Sequence, residues 1–155
     1  MTGALLLLHI LSAVIWVGGM FFAYMVLRPV AASQLEPPQR LPLWAACFQG
    51  FFVWVWVAVI LLPLTGYWML FAMFKGMANA PLYVHAMQGV GLLMIALYLW
   101  LYFGPYRALR TAVAAQDWPN GGARLATIRR IVGTNLLLGL VTITIAVAGR
   151  ALIPG

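Results

Sequence analysis

Residues 3–27 read GALLLLHILSAVIWVGGMFFAYMVL, and the fold follows from that stretch. It contains no Asp, Glu, Lys or Arg, and one side chain that titrates near neutral pH, His9. About 20 apolar residues, each adding 1.5 Å of helical rise, cross the ~30 Å hydrocarbon core of a bilayer. No basic segment precedes the run, and it outlasts the apolar part of a cleavable leader. It is therefore expected to stay in the membrane as a helix.

Three more stretches of the same kind follow, at residues 44–74, 82–103 and 131–153. The chain is 65% hydrophobic and 7% charged, where a soluble domain carries about a quarter charged residues. The expectation is an all-α integral membrane protein: one domain over residues 1–155, built as a four-helix up-down bundle. Between the spans lie ASQLEPPQR, KGMANAP and DWPNGG. Pro37 and Pro38 are expected to break any helix in the first and DWPNGG to form a turn; Gly104-Pro105 is expected to bound the third span, with continuation of the helix through RALRTAVAAQ as the alternative. Pro63 and Gly66 are candidate kink points in the second.

The charges set a direction. Arg28, Arg40, Arg107, Arg110, Arg124, Arg129 and Arg130 fall on one side of such a bundle, Lys75 and Arg150 on the other. Seven against two places the arginine-rich side in the cytoplasm and both termini outside. The net charge of +7 then reads as topology signal and contact with anionic headgroups rather than as nucleic-acid binding. Cys47 is the sole cysteine, so no internal disulfide can form. The lipid bilayer is the first partner. A second copy of the chain or a redox protein could be another.

His9 and His85 carry the functional content of the sequence. An ionisable group inside a membrane span is costly and reads as functional by default. Both histidines fall in the outer part of their spans, on the first and third helices, which lie diagonally across an up-down bundle. Two imidazoles at one depth suit a shared metal or haem iron. Trp16 shares a helix face with His9, and Gly89 lies one turn from His85, where a flat macrocycle could approach the backbone. Lys75 and Arg150, at the outer ends, are candidate holders of haem propionates. Without a CxxCH motif, haem would be noncovalent haem b.

A second constellation favours copper. Met69, Met73 and Met77 repeat at i, i+4 and i+8, and Met87 sits two residues after His85. Thioether and imidazole together suit Cu(I). The plainer account is that methionine fills irregular gaps in an apolar bundle and that the histidines bond internally, which would make this a structural or assembly subunit. No catalytic set is present: the two acids, Glu36 and Asp117, both lie in connections.

The first helix, with His9, Trp16, Gly18, Gly19, Arg28 and Pro29, resembles that of the CopD family of copper-resistance D-like membrane proteins. It also resembles the first helix of HemJ, a four-helix protoporphyrinogen IX oxidase that binds haem b. LYVHAMQGVGLLMIALY is similar to the third HemJ helix, with His85 on its histidine and Met87 where it has a lysine. Arg130 and Asn135 match its fourth helix, but the acid beyond the asparagine is missing. The resemblance implies a bacterial inner-membrane protein with a haem or copper association, in which His9 and His85 bind the cofactor. The missing lysine and acid imply weak or no protoporphyrinogen oxidase activity.

Overall fold

The computed structural model describes residues 2–152, and every element among them is helical. α1 (Thr2–Phe21) runs through a π-helical turn, Phe22–Leu27, into α2 (Arg28–Gln34). α3 (Pro37–Phe74) follows after a two-residue break, and a 3₁₀ turn (Met77–Asn79) leads to α4 (Leu82–Leu101). A second π turn, Tyr102–Tyr106, joins α4 to α5 (Arg107–Ala114), and α6 (Trp118–Leu152) is the last element among the described residues. This makes four rods, each long and apolar enough to cross a membrane. Large apolar side chains such as Leu7, Val53, Leu64, Phe71 and Val147 are exposed around them, as lipid contact requires.

The rods overrun the apolar spans at the arginine-rich end, and proline accounts for the difference. Pro37 and Pro38 do not break a helix; they start one. Glu36 is extended (φ −74°, ψ 159°), and a proline at the first helical position gives up an N–H that had no intrahelical partner anyway. α3 then continues unbroken through Pro42 and Pro63 for 38 residues, about 57 Å at 1.5 Å each. DWPNGG is likewise a helix start. Asp117 caps it by accepting from the Asn120 N–H at 3.2 Å, and Pro119 fills the second helical position.

Gly104-Pro105 does not end the third rod. Pro29 and Pro105 lie just after and within the two π turns. A proline ring collides with the carbonyl four residues back, and the wider π turn moves that carbonyl aside without breaking the helix. The last part of the fourth span, from Ile153, lies outside the described residues.

α1 packs chiefly on α3 and α4 chiefly on α6, while α6 also touches α1 and α3. The centre is aromatic. Phe48 stacks on Phe52 at 5.3 Å, Phe52 meets Tyr106 edge-on at 4.9 Å, and Trp16 meets Tyr98 edge-on at 6.1 Å. The Tyr98 hydroxyl donates to the Phe52 carbonyl at 3.3 Å, so a buried polar group ties α4 to α3. At the arginine-rich end Leu41, Leu109 and Ile128 extend the core past the spans. There Arg28 lies 4.4 Å over the Tyr24 ring and Arg107 4.8 Å over Phe103. Arginine stems lying along aromatic rings, heads outward, suit the headgroup layer.

Candidate functional site

The two hairpins follow one plan. His9 stands twenty residues before Pro29 and His85 twenty before Pro105, each proline at a π turn. The spacings to proline are equal, although the π turns begin 13 residues after His9 and 17 after His85. Their surroundings differ.

His9 faces inward. Ser12, Trp16 and Met20 continue its face along α1, and all three are buried. Nδ1 of His9 is hydrogen-bonded to Oγ1 of Thr65 on α3 at 2.8 Å. Thr65 is itself buried, and its hydroxyl donates to the Leu61 carbonyl one turn back at 2.6 Å. Gly66, next along α3, lies against the imidazole edge: a Cβ there would stand 3.3 Å from His9 Cε1. A side chain at position 66 would crowd the ring, so glycine lets the imidazole settle on the α3 backbone. Gly66 thus acts in contact with His9, where sequence suggested a kink.

His85 is half-buried on a different kind of face. Gly89, Leu92 and Ala96, which share that face, are exposed. Met94, nine residues on and half a turn around, is buried in the core with Tyr98 and Leu101. The hydrogen bond of His9 thus runs to α3, while His85 turns to the side of α4 opposite the aromatic centre.

The other sequence-derived candidates are spread out. Met69 is half-buried on α3, Met73 is exposed, and Met77 lies past the helix end in the 3₁₀ turn, so the three do not form one helical row. Met87 is half-buried on α4. Lys75, in a left-handed conformation (φ 56°) at the end of α3, and Arg150 are exposed. Among the described residues no three His, Cys, Asp or Glu side chains gather as a metal cluster.

Beneath His9 the bundle is filled. Trp16, Phe52, Tyr98 and Asn135 surround a cavity of about 20 Å³, room for one water-sized group. A haem needs a pocket on the order of several hundred Å³. That cavity, which neither histidine lines, is too small to hold a haem. Asn135 borders the same cavity. Its Nδ2 donates to the Met94 carbonyl at 3.1 Å, and its Oδ1 is buried without a partner. It joins α6 to α4, the interhelical role its position in the sequence suggests.

A family model described as copper resistance protein D (CopD) matches residues 45–148. The chain belongs to the CopD family. Comparison with curated proteins and with solved structures returns no match. The CopD match takes in Thr65, Gly66 and His85 and begins after α1, so His9 stands outside it. Thr65 and Gly66 are the site residues that sequence reading passed over as functional. The available signal was a Thr-Gly pair in an apolar span, toward the end away from the arginines.

Proposed function

We propose that this CopD-family protein handles copper in a bacterial inner membrane, taking Cu(I) as cargo at His9. The observation that supports this most directly is the inward-facing imidazole of His9, held on Thr65 and Gly66 at one end of an apolar bundle. A neutral ring nitrogen is a good copper ligand, and burial among apolar side chains disfavours harder, more strongly hydrated ions. Met20 and Trp16, on the same face, would offer a thioether and an aromatic ring to a soft cation leaving His9. His85 and the methionines around the outer ends, Met69, Met73, Met77 and Met87, would act as separate contact points on the approach.

The test is Cu(I) binding by purified protein, measured by competition with a chromophoric chelator. His9→Ala should lose the tightest site, weakening binding by roughly tenfold or more, as removal of a metal-site partner commonly does. His85→Ala should leave that site within a few-fold of its original affinity. Equal copper binding by wild type and His9→Ala would sink the proposal. A Soret band in protein from haem-replete cells, bleached by His9→Ala, would return the site to haem.

Copper entering at His9 requires the His9 end to face outward, as the arginine bias implies. In a Cys47→Ser background, Asn79→Cys should react with an impermeant maleimide in intact cells. Asp117→Cys should react only after permeabilisation. The reverse pattern would place His9 on the cytoplasmic side.

A further inference from the structure

We infer that Thr65 is a positioning residue that fixes His9 in one tautomer, with the proton on Nδ1 and the lone pair of Nε2 presented to the cargo. The copper reading above supplies the ligand in this inference; the geometry stands without it.

The argument is a count of protons. A threonine hydroxyl has one to give. Thr65 sits mid-helix, where its hydroxyl can reach back to the carbonyl four residues earlier, and at 2.6 Å its bond to the Leu61 carbonyl is short. The Leu62 carbonyl is a further acceptor on the same oxygen, at 3.3 Å. Carbonyls only accept. With its proton committed to them, Oγ1 can meet His9 Nδ1 at 2.8 Å only by accepting, so Nδ1 carries the hydrogen. A neutral imidazole has one N–H, and Nε2 is left as the bare nitrogen.

Gly66 makes the geometry specific. It leaves the ring edge room beside the α3 backbone, where a Cβ would stand 3.3 Å from Cε1. The Thr-Gly pair therefore sets both which nitrogen is protonated and how the ring lies. Metal-bound histidines are commonly held in this way, through a hydrogen bond from the nitrogen that does not bind the metal. An imidazole free to exchange tautomers would present the wrong nitrogen part of the time.

The experiment begins with metal-free protein carrying ¹⁵N-labelled histidine. With two histidines in the chain, His9→Ala assigns the signals. Wild-type His9 should show a protonated Nδ1 and an unprotonated Nε2. Thr65→Ser should keep that pattern, while Thr65→Val, which keeps the shape without the hydroxyl, should lose it. Cu(I) affinity should fall roughly 10- to 100-fold in Thr65→Val and stay within a few-fold in Thr65→Ser. A wild-type spectrum with the His9 proton on Nε2 overturns the inference, whether or not the Thr65 variants fold. Unchanged Cu(I) affinity in a Thr65→Val protein whose tautomer has shifted also overturns the positioning role. If the tautomer is as stated and no form of the protein binds copper, the copper reading fails while the assignment of the proton survives.

Discussion

Asn135→Asp should destabilise the bundle by about 3 kcal/mol or more, the usual cost of leaving a charge buried without a partner. Asn135 is 3% exposed, and its amide does one thing in the fold: Nδ2 donates to the Met94 carbonyl. A carboxylate cannot donate. It would set a negative oxygen against that carbonyl and another against the aromatic wall where Oδ1 already lacks a partner. Asn135→Leu separates charge from size. It removes the orphan oxygen together with the donor, and the Met94 carbonyl remains inside its own helix. Replacing a half-satisfied polar group by an apolar one of similar shape is often close to neutral, so a loss under about 1 kcal/mol is expected. Unfolding in mixed detergent measures both. An aspartate variant as stable as wild type would overturn this, and would mean either that water reaches position 135 or that the acid is held protonated and donates to the Met94 carbonyl.

Much of this architecture is legible in the sequence, because lipid leaves few alternatives. Runs such as residues 3–27 have to be helices, since backbone groups in hydrocarbon find partners only within their own segment. The same economy makes His9 conspicuous. Local proline chemistry is where reading fails. Pro37, Pro38 and Pro119 look like breakers, yet a proline is equally a good first or second helical residue. The deciding information is the residue before it. In Asp117-Trp118-Pro119-Asn120 that information is a capping aspartate, present in the sequence and passed over. At Gly104-Pro105 the alternative of a continuing helix holds, because a π turn absorbs the proline ring.

The site is legible only halfway. Hydropathy gives the depth of both histidines, but facing depends on which neighbours pack, and no periodicity separates His9 from His85. Both sit among leucines, valines and glycines. His9 turns inward because α3 brings Thr65 and Gly66 to it. In the second hairpin the side chain lying on an α6 glycine is Tyr83, against Gly149. Two residues separate Tyr83 from His85, which on a helix turns the imidazole more than half a turn away.

That contact gives the second large effect. Gly149→Ala should destabilise the end of the second hairpin away from the arginine-rich side by about 1–3 kcal/mol, the range for overpacking a filled interface. An added Cβ would stand 2.6 Å from the Cβ of Tyr83, closer than real Cβ contacts come. A Cβ is fixed to its backbone, so no rotamer change relieves the clash, and α4 and α6 must move apart. By contrast, the atoms a Cβ at Gly19 would meet belong to the Phe51 ring, which can swing. The cost at Gly149 should shrink if the obstacle is thinned. In a Tyr83→Gly background no Cβ remains to collide, so adding Gly149→Ala should cost less than it does alone, with a coupling of about 1–3 kcal/mol. Additive effects would mean that the close approach is absent in the membrane. Helices there associate by close packing at small residues rather than by the hydrophobic effect, so a single methyl group at such a contact carries more weight than its apolar area suggests.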